Sequence, residues 1–375
     1  MPENGATNGH GGPTPLAERL ADRIENFGPM SVAEYMATCL TDPTDGYYTT
    51  REPFGRSGDF VTAPEVSQMF GELIGLWCVA TWQQLGEPER FVLAELGPGR
   101  GTLIADALRA ASVRPSFAAA ADIALLEVSP ALREKQQAAL AGLAEPYFVE
   151  SVDEIPGGPL IVIANEFFDA LPIRQFVHAD GQWAERMVGI DDDGKLIFGR
   201  GGRVELEWQA AGGSAAAIPP PEPGSVLEIR PSGEAIAEAL GARIAAEGGA
   251  ALVVDYGHIT PDYGDTLQAI YHQNYDYPLA HPGEADLTSH VDFSALAAAA
   301  AAAGAPPRPV LEQGALLARL GITERAQQLA EDKDDATREA IAAALARLVD
   351  EDQMGRLFKA MAFAPPDFAV PAFDQ

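Results

Sequence analysis

The chain has 375 residues, with 25 Lys and Arg against 55 Asp and Glu, a formal net charge of −30. That balance excludes a general nucleic-acid binder, which needs clustered cations to neutralise phosphates, and it excludes docking on anionic membrane through basic segments. A hydrophobic fraction of 47% excludes wholesale disorder and supplies a sizeable core.

Residues 1–13, rich in Gly, Asn and Pro, read as a disordered tail. A helical region follows over 14–89. One helix is expected at 15–26. Ser31 reads as the N-cap of the next, VAEYMATCL, with Glu34 completing a capping box. GRSGDFVTAPE is a loop or short extended piece. VSQMFGELIGLWCVATWQQLG has helical apolar spacing and stops at Gly86.

From residue 90 to 375 the pattern changes. FVLAEL, IALLEV, YFVE, PLIVIANE and AALVVDYG are short apolar strands, alternating with helical stretches such as TLIADALRAA, SPALREKQQAALAGL and SGEAIAEALGARIAAEGG. Such alternation means βαβ units and a parallel sheet covered on both faces. Two regions interrupt it. Residues 173–230 show strand-like pieces with Gly- or Asp-rich turns and read as a β-hairpin insertion. Residues 191–194 are its turn, because the remaining calcium-loop ligands are missing. Residues 259–290 show no periodicity and read as a long loop over the site. The alanine run 297–303 is a helix, further helices cover about 323–350, and LFKAMAFA is a late strand.

Cys39 and Cys78 form no CxxC pair or disulfide framework and fit a reducing compartment. The first residues carry no signal- or transit-peptide pattern, and no apolar run reaches the roughly 18 residues of a membrane span. These features point to a soluble, cytoplasmic protein. The six histidines show no zinc spacing, so no metal is expected.

The strongest chemical signal is ELGPGRGT, from Glu95 to Thr102, between an expected strand and an expected helix. Its glycines allow a sharp turn and a close approach of backbone to ligand. The following helix N-terminus suits a carboxylate or phosphate. The spacing is GxGxG, not the GxGxxG of dinucleotide sites. Glu95, two residues before Gly97, offers a pyrophosphate nothing but suits an amino group and a positive centre. S-adenosylmethionine has both, and a carboxylate for the turn formed by Gly97, Gly99 and Gly101. Glu127, closing the second strand, is placed to accept ribose hydroxyls. Asp153, after the third, is a candidate for the adenine amino group. Asn165, Glu166 and Asp169 crowd the end of the fourth strand beside Phe167 and Phe168, where uncompensated acids are costly and a cationic substrate would suit them. His290 precedes a helix whose cap is Ser289 or Asp292, and is either structural, gating or in contact with substrate.

Six segments, GDFVTAPEVSQMFGELIG (58–75), ELGPGRGTL (95–103), LLEVSP (125–130), IVIANEFFDALP (161–172), LVVDYG (252–257) and DLTSHVDF (286–293), together resemble the MidA-like family. The match runs from about residue 15 to about residue 365. The resemblance implies a Rossmann-like class I methyltransferase fold of the α/β class with a helical N-terminal region, S-adenosylmethionine as cofactor, and methylation of an exposed arginine on a protein partner. For eukaryotic members that partner is a complex I subunit. It also implies that Gly97, Gly99 and Gly101 hold the methionine part of the cofactor and Glu127 its ribose, and that Asn165, Glu166 and Asp169 line the transfer site. The spaced pair of glutamates found in well-studied arginine methyltransferases has no clear copy. Glu166 and Asp169 are the candidates to replace it. A small-molecule N- or O-methyltransferase and a non-catalytic, cofactor-binding assembly factor remain alternatives on the sequence.

Overall fold

A computed structural model describes residues 14–50, 62–206 and 220–374. The expected tail at 1–13 lies outside the described residues, as does the whole of GRSGDFV, 55–61.

Five parallel strands form the centre of the molecule. In space they run Tyr147–Val149, Ala121–Leu126, Phe91–Leu96, Leu160–Asn165, Gly249–His258. Phe358–Phe363 adds antiparallel beside the last, and Leu311–Glu312 pairs with it at the edge. The chain therefore starts in the middle, grows to one side, then crosses to the other. The reversal lies between Phe91–Leu96 and Leu160–Asn165, and open α/β sheets bind ligands beyond the strand ends at such a point.

Both faces are covered, as the unbroken apolar strands require. On one side Leu93, Ile123, Ile161, Leu252 and their neighbours pack under the helix Gln68–Gln84, which contributes Phe70, Trp77 and Trp82. On the other, Val92, Ala94, Val162 and Val253 pack against Ala237 and Leu240 of the helix Pro231–Glu247 and Phe293 and Leu296 of Phe293–Ala302. Alternate strand residues thus serve opposite cores.

A third core lies outside the central sheet. The helices Pro15–Phe27 and Val32–Thr41 bury Leu16, Leu20, Tyr35, Met36 and Leu40 there. The capping box is present: the Ser31 hydroxyl accepts from the Glu34 amide at 3.2 Å, and the Glu34 carboxylate accepts from the Ser31 amide at 2.8 Å. These helices pack against the insertion, which is larger than a hairpin. Arg174–Ala179, Gln182–Ile190, Leu196–Val204 and Val226–Ile229 form an antiparallel sheet that also takes in Met30–Ser31. Residues 191–194 are its turn, with the Asp191 carboxylate accepting from the amides of Asp193 and Lys195 at 2.9 Å each.

The region 259–290 is not a structureless loop. Gln268–Tyr271 pairs with Asn274–Asp276 on one side and Asp286–Thr288 on the other. Each strand is three or four residues long, too short for alternation to show, and the pairing is completed by Leu267, Ala269 and Leu287 entering the third core.

Gly75, within Gln68–Gln84, faces the helix Thr102–Ala111 so closely that a Cβ would sit 2.5 Å from the Ala107 carbonyl oxygen. Gly→Ala in a helix interior ordinarily stabilises by up to about 1 kcal/mol. Here Gly75→Ala is expected to destabilise by about 1–3 kcal/mol through overpacking. Urea unfolding measures the sign, and a stabilised variant would contradict the close approach.

Candidate active site

The strand Phe91–Leu96 ends at the glycine turn. Gly97 has φ +63°, and a Cβ there would lie 2.9 Å from the Phe167 ring. Gly101 has φ +79° and caps the helix Thr102–Ala111, and a Cβ there would lie 3.2 Å from the Gln136 Cα. Both positions combine left-handed backbone with close approach, which only glycine tolerates without strain. Gly97 and Gly99 line a cavity of about 440 Å³ that opens along the strand ends.

Glu127 lies on the same cavity. Its Oε1 accepts from the Ser129 amide at 2.8 Å and its Oε2 from the Gln136 side-chain amide at 3.0 Å. Burial pushes its pKa up, while these donors and Arg133 pull it back. Gln136, on the helix Pro130–Ala139, also donates to the Gly99 carbonyl at 2.7 Å. One side-chain amide therefore ties the glycine turn to the acid at the next strand end. Gln136 is not marked by the sequence. A lone Gln in a helix carries no motif, and only the contact of that helix with Gly101 singles it out.

Glu95 is buried beneath the turn, and burial raises its carboxyl to about 8. It borders a smaller recess with Glu65, Arg100, Asn165 and Glu166. Glu65 accepts from the Thr102 hydroxyl at 2.6 Å, so the TAPEV segment is drawn onto the helix after the turn. Asp153 is exposed on the turn Val152–Glu154 and is not among the cavity walls; Glu150, Ser151 and Val152 are.

At the end of Leu160–Asn165 the backbone bends sharply. Glu166 has φ +50°, a conformation that costs a non-glycine residue about 1–3 kcal/mol. Its amide donates to the Val254 carbonyl at 2.9 Å. Its Oε1 accepts from the Ala63 amide and the Asn165 side chain, both at 3.1 Å. Burial and nearby Asp169 raise Glu166 to about 7, and burial raises Asp169 to about 6 against the pull of Tyr256 and Arg230. The turn is held by Asp255, whose Oδ2 accepts the amides of Phe168 at 3.0 Å and Asp169 at 3.2 Å. Neither Asp255 nor Arg230 was singled out in the sequence, because each acts on main-chain groups distant along the chain.

His290 is not brought to the cavity wall. Its ring packs edge-on to Tyr256, centroids 5.6 Å apart, and it is Tyr256 that lines the cavity. Its carbonyl accepts from Arg230 at 3.3 Å, and the cap of the following helix is Asp292. Tyr48, Tyr256, Asp286 and Thr288, which no local pattern marks as site residues, line the cavity's far end with Asp169.

Among the described residues, five buried side-chain atoms have no hydrogen-bond partner, and four belong to Glu95, Gln136, Asn165 and Asp169. Such groups are rare in folded proteins and cluster where a ligand completes them. The cavity walls carry Glu127, Glu150, Glu166, Asp169 and Asp286 but no Lys or Arg among the described residues. Carboxylates for hydroxyl and amino donors, a glycine turn for close approach, and apolar Leu126, Val128, Leu132 and Val152 for a flat base fit S-adenosylmethionine.

Comparison with known proteins gives the same direction. Residues 73–309 match the family described as "Putative S-adenosyl-L-methionine-dependent methyltransferase". A relative in Drosophila melanogaster, named protein arginine methyltransferase NDUFAF7 homolog, mitochondrial, is 36% identical, spanning 96% of this chain and 86% of its own. The Homo sapiens protein arginine methyltransferase NDUFAF7, mitochondrial, is 35% identical over 94% of this chain and 84% of its own. A Burkholderia thailandensis protein crystallised with S-adenosyl-homocysteine superposes with a TM-score of 0.81 at 29% identity, covering 96% of this chain and 94% of that one. The mitochondrial designation of the relatives overturns the cytoplasmic expectation. Unpaired cysteines report a redox state, which does not specify one compartment. Among the described residues no helix is long and apolar enough to cross a membrane. With the glycine turn, the strand-end acids and these matches together, the chain belongs to this family of S-adenosyl-L-methionine-dependent methyltransferases.

Proposed function

We propose that this enzyme methylates a guanidinium nitrogen of an arginine on a protein partner, a respiratory complex I subunit being the partner that the resemblance implies. One observation carries the reading: the cavity's far end is acidic, and the buried Asp169 has an Oδ1 with no partner. The names of the relatives support it.

When bound, the cofactor supplies a methyl group on a sulfonium, an electrophile that needs no further activation. The protein's task is alignment, worth up to roughly 7–11 kcal/mol when two reactants are held at near-attack distance. Glu127 receives the ribose hydroxyls, its two oxygens already oriented by Ser129 and Gln136. Glu95 receives the amino group, whose positive charge favours the ionised carboxyl that burial otherwise disfavours. Glu166 borders both the cofactor recess and the larger cavity. There it and Asp169 draw the positive charge of a guanidinium toward its far nitrogens and leave the attacking nitrogen more nucleophilic.

Gln136→Met keeps the length of the side chain and removes both donors. It is expected to weaken S-adenosylmethionine binding by about 10-fold. In an E127Q background the further loss should shrink, because the two residues act as a unit. Calorimetry on the four proteins reads this, and fully additive losses would contradict it.

Glu166→Gln and Asp169→Asn are each expected to lower arginine methylation by about 100-fold or more, with cofactor affinity changed far less. Mass spectrometry of retained proteins after incubation with S-adenosylmethionine finds the methylated residue. Turnover at the wild-type rate in both variants would end the assignment. The pH profile is a separate check. Both carboxyls are raised and both act ionised, so activity is expected to climb as pH rises through about 6 and about 7. Glu166→Gln should remove the upper component of that limb.

A further inference from the structure

The far end of the cavity is built from three parts of the chain. Asp169 comes from the turn after Leu160–Asn165, Tyr48 from the short helix Tyr47–Thr50, and Asp286 and Thr288 from the strand Asp286–Thr288. Side chains two apart on a strand share a face. Asp286 and Thr288 accordingly both meet the cavity, while Leu287 between them enters the third core. Asp286 is 6% exposed, and its Oδ1 accepts from the Tyr48 hydroxyl at 2.9 Å. The strand is fastened to the turn that carries Asp169: the Ser289 amide donates to the Asp169 carbonyl at 3.1 Å. Tyr48 feels the charge of both carboxylates. Asp169 keeps a buried Oδ1 without a partner. Glu166, by contrast, already accepts from Ala63 and Asn165 through one oxygen.

We infer that Asp286, oriented by the Tyr48 hydroxyl, is a further carboxylate of the guanidinium-receiving site, facing it with Asp169 from a separate element. It is a specificity-determining residue supplied by the three-stranded sheet of 268–288, not by the central sheet. The inference rests on the proposed arginine substrate and adds the group that selects it. Two carboxylates on separate elements can meet a planar fork of donors from two sides, which a compact ammonium cannot match. Among the described residues no Lys or Arg lines the cavity itself; Arg230, whose charge favours the ionised form of Asp169, bonds the Leu171 carbonyl instead.

The test uses the full chain loaded with S-adenosyl-homocysteine. It is titrated by calorimetry with acetyl-glycyl-arginyl-glycine amide and with the citrulline and lysine counterparts. Citrulline keeps the shape and removes the charge. The arginine peptide is expected to bind at least about 10-fold more tightly than either counterpart. Asp286→Asn should weaken the arginine peptide by about 10- to 100-fold while leaving the citrulline peptide and S-adenosyl-homocysteine unchanged. An Asp286→Asn protein that binds the arginine peptide as wild type does, or a wild type that does not prefer it over both counterparts, overturns the inference. If Asp286→Asn no longer holds S-adenosyl-homocysteine, Tyr48→Phe decides. Both carboxylates then remain, arginine binding must weaken by about threefold or more, and an unchanged affinity overturns the inference. Mass spectrometry after incubation with S-adenosylmethionine separates the two readings. Arginine binding with these preferences but without methylated product would remove the methyl-transfer reading and leave the cation site standing. Methylation by Asp286→Asn at the wild-type rate would do the reverse.

Discussion

The site depends on two buried polar groups behind it, the carboxyl of Asp255 and the guanidinium of Arg230. Asp255 ends the apolar run of a central strand and accepts three amides, those of Phe168, Asp169 and Tyr256. Arg230 lies at the start of a helix and donates to the carbonyls of Leu171, Ser289 and His290. One buried carboxyl thus gathers the amides of the turn that carries Asp169, and one buried guanidinium gathers carbonyls from that turn and from the segment after Asp286–Thr288. Burial pushes Asp255 up and Arg230 down, while the cation and the acids around it stabilise each other. Hydrophobic packing builds the sheet, but these main-chain contacts aim the chemistry.

The two ends of the cavity are made in different ways. The cofactor end is local to the first two βα units. A glycine turn, an acid at the next strand end and a Gln amide between them hold one another within a short stretch of chain. The far end is assembled from distant segments, with Tyr48, Asp169, Tyr256, Asp286 and Thr288 meeting only because the third core presses the N-terminal helices, the insertion sheet and the 268–288 sheet together. Chemistry shared by a whole fold class sits on the rigid, local end. In the proposed reading, selection of what is methylated sits on the assembled end.

The parallel sheet was legible because fully buried strands are written as continuous apolar runs and because strands alternated with amphipathic helices. The capping box at Ser31 and Glu34 was legible because it is a three-residue relation. The acids Glu95, Glu127, Glu166 and Asp169 stand at or just past strand ends, and the fold places them around the larger cavity and the smaller recess, as that position along the chain suggests. Asp153 and His290 stood in equally suggestive positions. A turn leaves the first exposed, and the edge of Tyr256 takes up the second. Position along the chain places a residue near a strand end but does not set the direction of its side chain.

The amino-acid sequence alone determined the α/β class, the glycine turn and its acid, and the cationic character of what binds there, since each follows from local spacing and charge. Tertiary structure alone decided which carboxylates share a cavity, that Gln136 links two of its walls, and that the stretch 259–290 holds a small sheet carrying Asp286. The physical reason is the range of the contacts. Periodicity and turn chemistry act over a few residues, whereas Tyr48 to Asp286 and Arg230 to Ser289 are hydrogen bonds between groups 238 and 59 residues apart.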